Sequence, residues 1–246
     1  MARDKGRDKL QRERPAKWAG NHEKRRVYVY AEGKVTEKEY IDLIHADGIP
    51  KKPDQKVDIH FMNAMAVGDD RKPLTMVKQA VKVLRDVERQ AERNGLDEDD
   101  WRWPHVWVLF DRDRHEDITE AFKMAKKAGV RIAYSHPCFE LWRLLHYKNY
   151  TSTFGGVCDS ANDKLREQPG FAQTYGKNVK KVSVPESKHV HPGQITGKVQ
   201  GRSRYANAKR FAQTMSERHD GVNQNDWDPY TDMWRFVEEG LLLSGY

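Results

Sequence analysis

Cysteine is scarce: the 246 residues contain only Cys138 and Cys158. The two form no CxxC pair and no zinc-type ligand set, and they read as reduced thiols of a cytosolic protein, Cys138 as a structural residue. Long apolar runs are also missing. No stretch approaches the length of a membrane-spanning helix, and a mean hydropathy of −0.93 with 33% charged residues excludes a membrane protein. There is no GxxxxGK[ST] segment, so any step driven by a nucleoside triphosphate requires a partner. The opening MARDKGRDKLQRERPAKW lacks the apolar core of a secretory signal and carries acids that transit peptides avoid. The expected location is the cytoplasm. No internal repeat is visible.

What the chain does have is positive charge, unevenly placed. The net charge is +7, and residues 1–26 supply +6 of it, with ten Lys/Arg against four Asp/Glu. A second basic block at 177–210 holds nine Lys/Arg against one Glu. It includes Lys180, Lys181, Arg202 and Arg204. Such blocks favour phosphate backbones through counterion release, or else are a solvated tail and a solvated loop.

Hydrophobic patterning divides the chain. Residues 1–25 are charged, with Pro15 and Gly20 as breakers, and read as a basic disordered tail in which Trp18 is the one docking residue. Residues 26–150 alternate strands and amphipathic helices. The expected strands are Val27–Ala31, Val57–Met62, Val106–Phe110 and Val130–Tyr134. Thr36 to Glu39 supplies a Ser/Thr-x-x-Glu capping box for a helix burying Tyr40, Ile41 and Ile44, with Glu37 and Glu39 complementing its dipole. Leu74, Val77, Val81, Leu84, Val87 and Ala91 recur at helical steps up to Asn94-Gly95. A third helix spans Asp117 to Ala128, and a fourth starts at Pro137. Four β-α units imply a mostly parallel sheet with right-handed crossovers. Residues 151–200 predict basic, mobile, loop-rich chain with one short helix near Ala161–Glu167. Residues 201–246 predict two further helices packed on the domain, Arg204–Arg218 and one from Asp228 or Thr231 to Leu243.

The chemistry concentrates where strands end. Val106–Phe110 reads as a strand buried on both faces, and it runs into Asp111-Arg112-Asp113. In extended geometry residues i and i+2 point to one side, so two carboxylates project from the carboxyl end of a buried strand, where open α/β sheets bind ligands. A shared divalent cation, Mg²⁺ or Mn²⁺, relieves their repulsion. The blander reading is acids that open a loop or cap a helix. Glu32 adds a second strand-end carboxylate, placed before Gly33 where backbone can approach a ligand.

Three segments together resemble the RloB-like proteins: RVYVYAEGKVTEKEYI from Arg26, Phe110-Asp111-Arg112-Asp113, and SHPCFELW from Ser135. Those proteins are associated with bacterial anti-phage, abortive-infection loci. The resemblance covers about residues 25–150 well and the C-terminal helices in outline. That family is in turn similar to the Toprim fold, which carries one Glu after the first strand and a DxD after the third. The expected fold class is therefore α/β, a Toprim/Rossmann-like three-layer sandwich with a mostly parallel four-stranded sheet and C-terminal helices.

The resemblance implies a Mg²⁺-dependent phosphoryl-transfer site, with Asp111 and Asp113 as metal ligands and Glu32 as a ligand or the general acid/base. Arg112 and Arg114 hold phosphate or pair with surface acids. His115 is a proton shuttle or a solvated loop residue, and Glu140 a residue supporting the ligands. The function expected is a nuclease acting on RNA, tRNA or DNA in phage defence. The alternative is a non-catalytic nucleic-acid-binding or regulatory module working with a partner ATPase. Polymerase or primase chemistry is a third reading, without a nucleotide-selecting motif to support it.

Overall fold

The structure, a computed structural model, describes residues 24–113, 115–199, 201–219 and 223–246. Trp18, Arg114 and nearly all of the expected basic tail lie outside the described residues.

Strand β1 (Lys24–Ala31) leads into helix α1 (Thr36–Asp47), a short strand β2 (Ile49–Pro50), β3 (Lys56–Phe61) and the long helix α2 (Pro73–Arg93). Strand β4 (His105–Asp111), helix α3 (Ile118–Ala128), strand β5 (Arg131–His136) and helix α4 (Glu140–Leu145) follow. Strand β1 begins inside the segment read as tail: Arg25 is buried, and its guanidinium donates to the carbonyls of Trp101 and Glu239.

All four expected strands form and are parallel to one another, in the order β3-β1-β4-β5. Burial on both faces explains the continuous apolar run of β4. Val106, Val108 and Phe110 face Met76, Val77, Leu84, Ile118 and Ala121 of α2 and α3. Trp107 and Leu109 share the opposite core with Tyr40, Ile41, Leu141, Trp142 and Phe236. The result is three layers, with α2 and α3 on one side and α1, α4 and the C-terminal elements on the other.

This arrangement makes a crevice. From β1 the chain moves outward to β3, then returns across β1 to β4 and β5 on its other side. The strand order reverses between β1 and β4, and at such a switch point the connections leave to opposite faces and open a ligand crevice at the carboxyl ends. Glu32 follows β1 and Asp111 ends β4, so both stand at its mouth.

The remainder departs further from expectation. Helix α5 (Cys158–Arg166) answers the short helix expected near Ala161–Glu167, but α6 (Val184–Ser187) and α7 (Pro192–Ile195) are additional in the segment read as loop-rich. Leu165, Phe171, Val182 and Ile195 from this segment join the core behind β1. Buried Arg143 ties it down, donating to the carbonyls of Ser187 and His189 and to Gln194 Oε1. A hairpin of β6 (Lys198–Val199) and β7 (Arg202–Ser203) precedes α8 (Arg204–Arg218), which Ser203 caps by accepting the Ala206 N–H.

In place of the one final helix expected from Asp228 or Thr231 to Leu243, β8 (Tyr230–Thr231) pairs antiparallel with β5, so the sheet has five strands, one more than expected. Asp232 holds that edge, its Oδ1 accepting the Tyr134 N–H at 2.6 Å and its own N–H donating to the Tyr134 carbonyl. Then come the single turn α9 (Met233–Arg235), a wide π-type turn to Gly240, and β9 (Leu243–Gly245), which pairs with β2. A Cβ at Gly240 would meet Trp107 Nε1 and the Phe236 ring at 3.1 Å, so the glycine lets this turn pack closely against β4.

Candidate metal centre

The Glu32 backbone N–H donates to the Leu109 carbonyl at 3.0 Å and so continues the β1–β4 pairing by one residue. Its Oε2 accepts the backbone N–H of Asp111 at 3.0 Å, and its Oε1 lies 2.8 Å from His115 Nε2. The loop behind it is held by Arg71, which is buried with no carboxylate partner among the described residues. Arg71 Nη1 donates to the carbonyls of Ala31, Glu32 and Gly33, Nε to Ala66, and Nη2 to Asn63 and Ala64. One guanidinium thus fixes the backbone that carries Glu32. Sequence reasoning missed Arg71, because a lone Arg between polar loop residues carries no pattern.

The expected capping box does not form. Thr36 is already the first helical residue, and no side chain caps α1. Glu39 reaches away instead, its carboxylate accepting the Val190 N–H at 2.9 Å and lying 2.8 Å from His189 Nδ1. Glu37 turns inward and accepts the Gly33 N–H at 3.0 Å. A Cβ at Gly33 would stand 1.9 Å from Glu37 Oε2, so the close approach requires glycine.

The i, i+2 argument for Asp111 and Asp113 fails in detail. Strand β4 stops at Asp111, and Asp113 sits in a turn at φ +31°, in the left-handed region that Asp tolerates better than most residues. Even so, Glu32, Asp111 and Asp113 all line one cavity of about 460 Å³. Ligand atoms of Glu32, Asp113 and His115 lie within 4.8 Å of one another. Glu32 and Asp111 also line an adjoining cavity of about 490 Å³ that contains Glu37, Glu140, Lys34 and Lys188.

The electrostatics follow from this crowding. Burial raises the Asp111 carboxyl well above the usual range, and the charges of Glu32, Glu37 and Glu140 raise it further. Burial pushes Glu37 up to about 7, reinforced by Glu140 and Glu32. His115 is raised by its hydrogen bond to Glu32. More negative charge is gathered than the space tolerates ionised, which is the condition a cation relieves. The donors are carboxylate oxygens, with the His115 imidazole hydrogen-bonded to one of them, and such oxygens fit Mg²⁺ or Mn²⁺.

Arg112 donates to the carbonyls of Asp113 and His115, so it braces the turn. Arg114 lies outside the described residues. Lys180 and Lys181 are exposed and line a separate cavity with Asp163, Arg166 and Glu167. Arg202 is exposed on β7, and the Arg204 guanidinium stacks 4.3 Å over the Tyr147 ring. Lys188 of the 177–210 block lines the cavity that holds Glu37 and Glu140. Its position in that block was the only sequence signal for it.

The cysteines correct the sequence reading. Cys138 and Cys158 form a disulfide, with Cα atoms 5.4 Å apart, so they are not separate reduced thiols. Twenty residues separate them in sequence, and it is the packing of the starts of α4 and α5 that brings them together. Cys158 Sγ also lies 3.6 Å from Glu140 Oε2.

These features define a mixed α/β protein with a cluster of acidic residues at the switch point of a mostly parallel sheet. The chain belongs to the RloB-like family: the model of that family, described as RloB-like protein, matches residues 27–239, from β1 to the π-type turn. No curated protein and no solved structure matches the chain. Among the described residues no helix is long and apolar enough to cross a membrane.

Proposed function

We propose that this RloB-like protein is a Toprim-like, Mg²⁺-dependent nuclease that hydrolyses phosphodiester bonds of RNA, tRNA or DNA in the cytoplasm, as part of phage defence by abortive infection. The observation that carries this reading is the cluster of Glu32, Asp113 and His115 beside a cavity that Asp111 also lines, at the carboxyl ends of β1 and β4. Glu32, Asp111 and Asp113 would hold the cation. When bound, it neutralises a nonbridging phosphate oxygen and lowers the pKa of a bound water. Glu32, fixed by the Asp111 N–H and the Arg71-braced loop, keeps its carboxylate in place without reorganisation. His115 holds a proton within reach of the cleft and would pass it to the leaving oxygen. Lys34 and Lys188 line the adjoining cavity, which Glu32 and Asp111 share, and would draw the phosphate backbone towards it.

The test is cleavage of tRNA, total RNA and single- and double-stranded DNA with Mg²⁺ or Mn²⁺, against a chelator control. Activity should need the cation and disappear in Asp111→Asn and Glu32→Gln. Cleavage that survives both substitutions removes the site assignment. Nucleic-acid binding that is indifferent to the cation, with no cleavage, replaces the nuclease by a regulatory module serving a partner ATPase.

A further inference from the structure

We infer that the reduced protein binds Zn²⁺ through Cys138 Sγ, Cys158 Sγ and a Glu140 carboxylate oxygen, on the wall of the carboxylate cleft. No CxxC or His-rich spacing announces this set; only the fold assembles it. Cys138 lies just beyond β5, Glu140 opens α4 and Cys158 opens α5. One ligand atom from each of the three falls within 4.8 Å of the other two. Two sulfurs and one carboxylate oxygen are a softer set than the neighbouring Glu32, Asp113 and His115, so the two sites sort different cations. Three protein ligands with one position left for water is an arrangement zinc commonly adopts.

Access is available. Cys138 is buried, but Cys158 is only half-buried, and both line the cavity shared with Glu32, Asp111 and Asp113. Cys158 also lines the adjoining cavity that holds Glu140.

Disulfide and metal site are mutually exclusive states of the same sulfurs. A dithiol reductant breaks the Sγ–Sγ bond by exchange: its two thiols become one disulfide, and their two protons pass to Cys138 and Cys158. Zinc binding then releases those two protons as both sulfurs coordinate as thiolates. A small-molecule disulfide acts in reverse, taking up two electrons and two protons as the Sγ–Sγ bond reforms and the zinc leaves.

The experiment uses the full chain and Co²⁺ as a spectroscopic stand-in, with zinc measured by elemental analysis. After reduction and removal of the dithiol, the protein should take up one zinc per chain and show a cobalt–thiolate charge-transfer band. Oxidation with a small-molecule disulfide should abolish both. Cys138→Ser and Cys158→Ser should lose the band, and Glu140→Gln should weaken zinc binding by about tenfold or more. Asp111→Asn, which alters only the neighbouring carboxylate set, should keep the band, so the result does not depend on cleavage. Circular dichroism of each variant confirms that it is folded. Zinc uptake unchanged by oxidation or by the serine substitutions, or no uptake after reduction, overturns the inference.

Discussion

The carboxylate of Glu32 accepts the backbone N–H of Asp111 with one oxygen and lies 2.8 Å from His115 Nε2 with the other. One side chain thus joins the end of β1 to the end of β4 and to the turn beyond. Since the hydrogen bond to Glu32 is the largest cause raising His115, removing the charge should lower it. In Glu32→Gln the His115 ring should titrate at lower pH than in the wild type, as followed by NMR of the ring protons. An unchanged midpoint would mean that the pair is not formed in solution. The sign for stability follows: a raised His stabilises fully below its unfolded pKa, and the benefit is lost as pH rises through the folded one.

Arg71 offers a different test. Its six carbonyl partners lie at the end of β1 and on the two loops that follow β1 and β3, and no carboxylate among the described residues balances its charge. Arg71→Ala leaves buried carbonyls unpaired and should cost about 3 kcal/mol or more. Arg71→Lys should recover little, because one ammonium cannot reproduce the planar fork. Urea denaturation of the three proteins reads this directly. A loss below about 1 kcal/mol for Arg71→Ala would show that the loop is held otherwise.

Glu37 should make the protein pH-sensitive in the absence of metal. Its carboxyl is raised to about 7, so the folded state keeps a proton that the unfolded chain gives up near its ordinary value. That stability is fully present below the unfolded pKa and is lost as pH rises through the folded one. Glu37→Gln should therefore be more stable than wild type at about pH 8, by about 1–3 kcal/mol. The gap should close at acid pH and narrow when Mg²⁺ is added. Melting curves across pH, with and without Mg²⁺, measure it.

A buried histidine sets the acid limit. His146 Nδ1–H donates to the Trp142 carbonyl, and its Nε2 accepts the Tyr246 hydroxyl at 2.8 Å. Tyr246 in turn accepts from Tyr40, whose oxygen takes the Trp142 Nε1–H. The chain of donors closes only around a neutral ring, and burial lowers His146 to about 3. The unfolded chain binds the proton first, so stability should fall as pH drops below the unfolded value, by about 2 kcal/mol near pH 5. His146→Gln, even if less stable at neutral pH, should lose less on acidification. An equal acid slope in both proteins would assign the effect elsewhere.

How much of this was legible in the sequence depends on what each feature rests on. Strands β1, β4 and β5 were visible as apolar runs, and the edge strand β3 by its alternation of apolar and polar residues. Helix α2 was visible because its apolar residues repeat at helical steps. Glu32 and Asp111 could be placed at strand ends for the same reason, and parallel order then brings those ends together. Glu37 sits in the first turn of α1 as expected, but its inward contact with Gly33 was not legible, because local capping rules say nothing of a carboxylate drawn in by a glycine turn. The two residues of β8 are too few to show a period, and their pairing depends on Asp232 meeting the β5 edge. The Cys138–Cys158 bond rests on two helix starts packing together, a tertiary fact with no trace in spacing.

The most direct test of the central claim is a crystal of the protein soaked in Mn²⁺ and measured for anomalous scattering. The account predicts a peak within about 2–2.5 Å of carboxylate oxygens from Glu32, Asp111 and Asp113 together. A peak that involves none of them, or no peak at saturating Mn²⁺, would contradict it.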